Sequence, residues 1–502
     1  MTITIETTLG PIRGESLGGH QRFRGIPYAA PPVGALRFAA PEPATPWQEV
    51  LDASRHGHSA VQPPSRLPGM EVGPQDEDCL TLNVYTPAAD DARRPVLFWI
   101  HGGGFVSGGA SQALYEGRAM VERGDVVLVT INYRLGALGY VDLPGVDGAV
   151  PNAGQLDQIA ALEFVRDNIA RFGGDPGNVT IFGESAGGMA VSALLAMPGA
   201  RGLFHKAIAQ SGAAAVTLDR ETAARITDVW LSKLGLGRQS AGTLRDKDAG
   251  ELIAAQVAAA AELAHGRIFL AHAPMIDDAT LPRHPLEAVR EGAAADIPFM
   301  TGTTRDEWRL FEMPSLMRDI DARGIVKRLS AQLPDDADVE ALVSAYADAR
   351  GEDPADADQA KSLYLALQTD RIFRMPAVQL AEAQAAHQPD TWMYRVDWTS
   401  PARRGELGAC HAIELPFVFG TLEAPGMDRF SGQGPEAERL SERMMDAWLA
   451  FARSGRPGHD ALPDWEPFET GRRSTFLFDR ECTLADAPME RERQAWEEHA
   501  GQ

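Results

Sequence analysis

Five residues in the middle of the chain, Gly183 to Gly187, follow the pattern glycine, any residue, serine, any residue, glycine. A β-branched and aromatic run from Val179 to Phe182 precedes them and an Ala-, Leu- and Met-rich stretch follows, which predicts a strand, a sharp turn and a helix. The flanking glycines leave room for a strained turn that holds the Ser185 hydroxyl clear of the chain. N–H groups at the start of the helix would face negative charge forming there. Ser185 is therefore a candidate nucleophile.

The same pattern occurs a second time near the N-terminus, from Gly14 to Gly18. The residues after this copy have no helical character, so we predict a hairpin turn there and an ordinary surface role for Ser16. The motif is weak by itself, and its strand and helix context separates Ser185 from Ser16.

Three consecutive glycines follow a predicted buried strand in the run His101-Gly-Gly-Gly-Phe105. Glycines at the end of a strand let backbone N–H groups turn toward a cavity with no side chains in the way. A phosphate-binding loop is the rival interpretation, but the segment has neither of the glycine spacings typical of such loops. An oxyanion-binding loop fits better, because loops of this type accompany the G-x-S-x-G turn.

Strands and helices alternate along the chain, which predicts an α/β architecture with a mostly parallel sheet. Two predicted strands, 95–100 and 125–131, are almost continuously apolar, which indicates burial on both faces. Sites in such sheets lie at the carboxyl ends of the strands. The glycine run, Ser185, Glu307 and His411 all fall in loops that follow predicted strands, so we expect them to meet at one edge of the sheet.

The further predicted strands are 78–85, 179–182, 206–210, 297–301, 391–397 and 474–478, and the predicted helical regions are 153–172, 185–195, 219–265, 336–386, 436–452 and 490–499. The 502 residues contain 44% apolar residues, no long linker and no repeat at a fixed period. We therefore expect a single domain over 1–502, with helical insertions roughly at 219–290 and 310–386 that cover the active site.

The composition and charge of the chain limit the classes of molecule that it is expected to bind. Acidic residues outnumber basic ones, giving a formal charge of 47 − 70 = −23, and no basic cluster stands out, so nucleic acid is an unexpected partner. The first residues do not have the pattern of a secretory signal, and no apolar stretch is long enough to span a membrane. Three distant cysteines suit neither a disulfide framework nor a zinc site. We expect a cytoplasmic protein that acts on neutral small molecules.

The chain resembles, nearly end to end, the type B carboxylesterase family of α/β-hydrolases, which includes bacterial para-nitrobenzyl esterases and animal cholinesterases. The order Ser185, Glu307, His411 is the order of triad residues in this fold. The motifs that carry the resemblance are Phe23–Tyr28, Glu77–Leu80, His101–Phe105, Phe182–Gly188, Gln210–Gly212, Gly302–Glu307 and His411–Glu414.

The resemblance implies a serine carboxylesterase that hydrolyses neutral aryl or short alkyl esters through an acyl-enzyme, with no metal or organic cofactor. It implies Ser185 as nucleophile, His411 as general base and Glu307 as the carboxylate that orients it. The oxyanion hole would consist of the N–H groups of Gly103, Gly104 and Ala186. It leaves open a monomer or a small homo-oligomer. Among the residues themselves, Asp306 competes with Glu307, and eleven other histidines compete with His411, including His205 and His272.

Two departures from the family pattern lie beside the triad, since Trp308 and Ala412 occupy positions where glycine is common. Several apolar side chains are candidates for the substrate pocket, with core packing as the alternative: Phe105, Phe311, Met313, Leu316 and Phe417. Carbamate or amide hydrolysis by the same triad is an alternative function. A non-catalytic, cholinesterase-like binding module is another, although such proteins typically lack a triad residue.

Overall fold

The computed structural model of the protein describes residues 1–64, 71–264 and 267–501. Within these ranges, thirteen strands form one sheet. The strands are β1 (Thr2–Glu6), β2 (Pro11–Ser16), β3 (Gln21–Pro27), β4 (Leu51–Asp52), β5 (Thr81–Thr86), β6 (Arg94–Ile100), β7 (Val127–Ile131), β8 (Gly174–Glu184), β9 (Lys206–Gln210), β10 (Phe299–Thr304), β11 (Thr391–Val396), β12 (Thr475–Phe478) and β13 (Thr483–Ala485).

The α-helices of the described ranges lie between and after these strands. They are α1 (Arg118–Gly124), α2 (Gly136–Gly139), α3 (Ala153–Asn168), α4 (Ala186–Ala196), α5 (Arg220–Lys233), α6 (Ala249–Leu263), α7 (Pro285–Arg290), α8 (Ala322–Ser330), α9 (Val339–Arg350), α10 (Ala357–Thr369), α11 (Met375–Ala385), α12 (Leu415–Val418), α13 (Pro435–Ser454) and α14 (Glu490–His499). One turn of π-helix, Asp370–Arg374, joins α10 to α11.

The sheet has a parallel centre and antiparallel edges. The strand order is β1-β2-β3-β5-β7-β6-β8-β9-β10-β11-β12-β13, with β4 paired to β2. All neighbours from β7 through β12 are parallel, whereas β1, β2, β3 and β5 extend one side antiparallel and β13 the other. The predicted α/β fold with a mostly parallel sheet is confirmed. The carboxyl ends of β6, β8, β10 and β11 therefore open at one edge.

Alternate side chains of β6 show why the centre of the sheet is so apolar. Val96, Phe98 and Ile100 belong to the core on one face, whereas Leu97 and Trp99 belong to the core on the other. Burial of such side chains contributes roughly 1.5–3 kcal/mol each. The strands that carry the candidate site are thus held between two packed layers.

The long helical regions predicted at 219–265 and 336–386 are each divided in the structure. In the first, Asp219 caps α5 by accepting from Thr222 N, and Asp248 caps α6 by accepting from Gly250 N and Glu251 N. In the second, α9 ends at Arg350 and is capped by Gly351, whose φ of 66° is a left-handed conformation that favours glycine. Capping aspartates and a glycine therefore determine helix boundaries that the spacing of apolar residues did not predict.

The N-terminal copy of the serine motif forms part of a hairpin, as predicted. Ser16 is the last residue of β2 and pairs with Gln21 of β3, so Gly14 to Ser16 are strand residues and the turn lies after them. In the part of the chain that the structure describes, no helix combines the length and the apolar character needed to cross a bilayer.

Candidate active site

The Ser185 turn is tightly packed between strand β8 and helix α4. Ser185 has φ 57° and ψ −123°, a strained conformation for a residue with a side chain, and its N–H donates to the carbonyl of Gln210 at 2.9 Å. A Cβ atom at Gly187 would lie 2.1 Å from the Ile100 carbonyl oxygen, and one at Gly183 would lie 2.5 Å from the Gly187 backbone. Only glycine fits these two positions, so the flanking residues of the motif are required by the turn itself.

The glycine run after β6 lies beside this turn. A Cβ atom at Gly102 would lie 3.2 Å from Cβ of Ser185, and one at Gly103 would lie 2.1 Å from the Ser107 carbonyl oxygen. Gly103 and Gly104 have φ values of 110° and 62°. The N–H groups of Gly103, Gly104 and Ala186 donate to no other residue of the described ranges. Three backbone donors are therefore available to an anionic oxygen.

Glu307 and His411 come together across two loops of the sheet edge. Nδ1 of His411 lies 2.6 Å from Oε2 of Glu307, and the other carboxylate oxygen accepts from Thr304 N at 2.7 Å. Both side chains are buried. The separation is that of a charge-assisted hydrogen bond, in which Nδ1 donates to the carboxylate. This contact leaves Nε2 of the ring as the atom that can exchange a proton.

Nε2 of His411 faces Glu184, the residue immediately before Ser185. Oε1 of Glu184 lies 3.0 Å from Nε2, but the two atoms do not have the geometry of a hydrogen bond. Burial by itself would lower the pKa of His411, yet the negative charges of Glu184 and Glu307 outweigh burial and hold that pKa well above its ordinary value. The imidazolium form is therefore stabilised from both sides of the ring.

A third buried carboxyl group, that of Glu414, belongs to the same electrostatic cluster. Burial, together with the charges of Glu184 and Glu307, raises the pKa of Glu414 from its ordinary value of 4.5 to about 8. Burial likewise raises the pKa of Glu184, opposed by His411. Oε1 of Glu414 accepts from Gln210 Nε2 at 3.2 Å. Four buried oxygens here have no hydrogen-bond partner among the described residues: Glu184 Oε1, Ser211 Oγ, Tyr394 Oη and Glu414 Oε2.

Aromatic side chains enclose the imidazole on its other faces. The ring centroid of Phe373, in the π-helical turn, lies 4.6 Å from that of His411, and the centroid of Phe311 lies 5.2 Å away. Phe311 is 45% exposed and contacts Trp308 at 4.9 Å between centroids. The bulky residue at 308 thus joins an aromatic wall that solvent can reach through Phe311.

The predicted pocket residues separate into two groups. Phe311, Met313 and Leu316 follow Glu307 on one exposed or half-buried segment, with Leu316 73% exposed. Phe105 and Phe417 are fully buried and pack against Tyr140 and Trp398, respectively. Core packing, the alternative interpretation, describes the surroundings of these last two phenylalanines.

The competing residues have other partners. Asp306 binds Arg305 and the N–H of Ala409 and makes no contact with His411. His205 accepts from Val179 N, and His272 contacts the Tyr140 carbonyl. Within the described residues, no group of three or more His, Cys, Asp or Glu side chains is arranged to hold a metal ion.

Two neighbours of the imidazole were not identified as site residues from the sequence. Glu414 had one available signal, because it is a charged residue within an apolar stretch three residues after His411. Phe373 had none, since its approach to His411 depends on the π-helical turn between α10 and α11.

Comparisons with known proteins identify the family of the chain. The model of the carboxylesterase family matches residues 1–496. The para-nitrobenzyl esterase of Bacillus subtilis (strain 168) is 40% identical over 98% of both chains, and the phenmedipham hydrolase of Pseudarthrobacter oxydans is 37% identical over 92% of both. A solved thermophilic para-nitrobenzyl esterase superimposes with a TM-score of 0.88 at 38% identity, covering 98% of this chain and 99% of its own. The chain therefore belongs to the carboxylesterase family, and it is a carboxylic ester hydrolase with the α/β-hydrolase fold.

Proposed function

We propose that Ser185, His411 and Glu307 are the catalytic triad of this esterase. The observation that carries the proposal is the buried 2.6 Å contact between Glu307 and Nδ1 of His411, which leaves Nε2 facing Glu184, the residue immediately before Ser185. No hydrogen bond joins Nε2 to Ser185 Oγ, both of which the structure describes, so the proposed proton transfer requires these two atoms to approach each other. The strained backbone of Ser185 adds support, because strain of this kind persists only where the surrounding structure enforces it.

In the proposed reaction, Ser185 Oγ attacks the ester carbonyl while Nε2 of His411 takes the serine proton. The tetrahedral intermediate collapses, the bond to the alcohol oxygen breaks, and the imidazolium returns that proton to the departing alcohol. A water molecule, deprotonated by the same nitrogen, then releases the acid and restores Ser185. Glu307 keeps the ring oriented and, with Glu184, stabilises its positive charge.

We assign the oxyanion hole to the N–H groups of Gly103, Gly104 and Ala186. None of the three donates elsewhere in the described ranges, so each is free to bind the oxygen that becomes negative during attack. Loss of one donor of this kind typically costs about 3 kcal/mol of transition-state stabilisation.

The substrates we propose are neutral aryl or short alkyl esters. Phe311 offers apolar surface beside the imidazole, and Met313 and Leu316 follow it on the same exposed or half-buried segment. The charge of −23 disfavours the approach of anionic substrates. The name of the Bacillus subtilis relative, para-nitrobenzyl esterase, also points to aryl-containing esters.

Replacement of the serine tests the triad. We expect Ser185→Ala to lose para-nitrophenyl ester hydrolysis and labelling by an organophosphonate while keeping the parent's thermal stability. Ser16→Ala is the matched control, because it alters the second copy of the same motif, and it should keep both properties. Parent-level hydrolysis by a folded Ser185→Ala protein would end the proposal.

A substrate panel tests the specificity. Para-nitrophenyl acetate, butyrate and benzoate should be hydrolysed, whereas the hemisuccinate, which adds a carboxylate to the acyl group, should have a much lower kcat/KM that rises with salt. Equal kcat/KM for the hemisuccinate and the butyrate would contradict the proposed preference.

We also propose that the protein works in a reducing, cytoplasmic compartment as a monomer or small homo-oligomer. Its three cysteines, Cys79, Cys410 and Cys482, are unpaired and buried. Free thiols are usual where glutathione keeps cysteines reduced. Cell fractionation tests the compartment and sedimentation the oligomeric state.

A further inference from the structure

Asp306 lies at the contact between two loops that together carry the imidazole and its carboxylate. We call residues 305–307 the acid loop and residues 405–411 the histidine loop. The acid loop follows β10, and the histidine loop comes from the segment after β11. Asp306 itself makes no contact with His411, so any influence on the ring passes through the backbone.

Backbone and side chain of Asp306 both bind the same residue of the histidine loop. The N–H of Asp306 donates to the Ala409 carbonyl at 2.9 Å, and the N–H of Ala409 donates to Oδ2 of Asp306 at 2.9 Å. A third bond runs from His411 N to the Glu307 carbonyl at 3.3 Å. With the contact between Glu307 and His411 Nδ1, four hydrogen bonds join the loops. Asp306 takes part in two of them, one through its backbone and one through its side chain.

The position of the Asp306 carboxylate is in turn fixed by two arginines. Nη2 and Nε of Arg305 donate to Oδ2 at 2.9 and 3.1 Å, and Nε of Arg309 lies 3.7 Å from Oδ1. Arg309 also donates to the Glu406 carbonyl of the histidine loop at 3.3 Å. The carboxylate is only 17% exposed, so these contacts are little screened by solvent.

The histidine loop has no spare room at this contact. Gly408 has a φ of 59°, and a Cβ atom there would lie 2.5 Å from Oδ2 of Asp306. The glycine and the carboxylate are therefore in close contact, and the backbone of residues 408 and 409 follows the position of Asp306.

We propose that Asp306 is a positioning residue, which sets the distance between Glu307 and His411 by joining the acid loop to the histidine loop. The inference rests on the proposed function, since it concerns the same triad. The Asp306 side chain suits this role because one oxygen accepts from both the Ala409 N–H and Arg305, while its charge faces the neighbouring guanidinium of Arg309. Loss of the side chain would free the histidine loop to move relative to Glu307.

The principal experiment compares Asp306→Ala with the parent enzyme on a para-nitrophenyl ester. We expect kcat to fall about 10- to 100-fold, because displacement of catalytic groups by about 1 Å can cost 10²-fold. KM should change little, since Asp306 is not part of the aromatic wall. The acid limb of the kcat/KM profile should move to lower pH, because His411 loses part of the contact with Glu307 that favours its charged form.

Asp397→Asn is the matched control. Asp397 is similarly buried, with 14% of its side chain exposed, and it binds Arg395 through two hydrogen bonds of 2.6 and 2.7 Å. Within the described ranges its side chain makes no hydrogen bond to either loop, and its backbone carbonyl, which accepts from Arg305 Nη1 at 3.3 Å, is unchanged by the substitution. This variant should therefore lose stability without a change in kcat or in the pH profile. Asp306→Asn, which keeps an acceptor for Ala409 N, should recover most of the kcat lost in Asp306→Ala.

Two further variants separate this inference from the proposed triad. Glu307→Gln and His411→Ala should abolish turnover, and if they do not, the triad itself is wrong. If they do, but Asp306→Ala keeps the parent's kcat and pH profile, only the positioning role is overturned. Should Asp306→Ala fail to fold, Asp306→Ser takes its place, because the serine hydroxyl is polar but too short to reach Ala409 N, and the same outcomes apply.

Discussion

Two regions of this protein bury carboxyl groups. In one the negative charge is fully paired with an arginine, whereas in the other several carboxyl groups lie close together. At the first, Asp157 is fully buried and accepts from Arg134 N, Nε and Nη2 at 3.0, 2.8 and 2.6 Å, so its charge is balanced and both oxygens are bonded. At the second, three buried carboxyl groups interact electrostatically with His411: Glu184, Glu307 and Glu414. Only the first two approach the imidazole nitrogens.

The difference separates a structural site from a chemical one. A fully paired buried charge of this kind holds two segments of the chain together. Burial and neighbouring negative charge raise the pKa of Glu184 and of Glu414, and, against the effect of burial, the charges of Glu184 and Glu307 raise the pKa of His411. We therefore expect substitutions in the first region to affect stability, and substitutions in the second to affect turnover and pH dependence.

The largest expected effect is on turnover. Glu307→Gln removes the charge that orients His411 and stabilises its protonated form, so kcat should fall about 10⁴-fold, as is typical when a triad carboxylate becomes an amide. Steady-state hydrolysis of a para-nitrophenyl ester measures this. A decrease of less than tenfold would mean that another group orients the ring.

Asp157→Asn should lower stability and leave turnover unchanged. It leaves the buried guanidinium of Arg134 without a counter-charge, and breaking such a pair typically costs about 3–5 kcal/mol of unfolding free energy. Denaturant unfolding measures the loss. The kcat of the folded fraction should equal that of the parent. A large decrease in kcat with unchanged stability would show that the two regions do not differ in the way we propose.

Glu414→Gln should change how stability depends on pH. Between pH 4.5 and about 8 the unfolded chain ionises this carboxyl while the folded protein keeps it protonated, so the parent loses stability as the pH rises. The amide cannot titrate. The stability of the variant relative to the parent should therefore increase by roughly 3 kcal/mol between pH 5 and pH 8, as measured by parallel unfolding experiments at the two pH values. A constant difference would show that Glu414 is ionised in the folded protein.

The smallest expected effect is a shift of the activity profile. Glu184→Gln removes one of the two negative charges that raise the pKa of His411, so the ring should lose its proton at lower pH. The acid limb of kcat/KM should move to lower pH, and activity at pH 6 relative to pH 8 should increase. An unmoved limb would mean that Glu184 carries no charge in the free enzyme.

Local patterns in the sequence were sufficient to predict the central strands and the fold. Buried parallel strands appear as continuous apolar runs, and the Ser185 turn needs glycine at fixed offsets, so both leave signals within a few residues. The resemblance to the carboxylesterase family is confirmed by the comparisons. The roles of individual residues and the division into one domain with two insertions stay predictions.

Contacts between distant segments were not predictable in this way. Nothing near Asp306 indicates that its carboxylate binds Ala409, 103 positions later, nor does the sequence around Phe417 separate core packing from pocket lining. Strand β8 begins at Gly174, five residues before the apolar run, because pairing of Arg94 with Gly174 extends it through residues typical of turns. Pairing with a partner strand overrides local propensity here.

The order of the strands in the sheet differs from their order in the chain, and this difference affects how the enzyme folds during its synthesis. Strand β11, which leads into the segment with His411, pairs with β12 at residues 475–478, and most of the parallel strands join partners distant in the chain. The nascent chain on the ribosome therefore exposes unpaired, aggregation-prone strand edges until nearly five hundred residues have been translated. Such non-local topology folds slowly, which makes chaperone supply and expression temperature the expected limits on the yield of active enzyme.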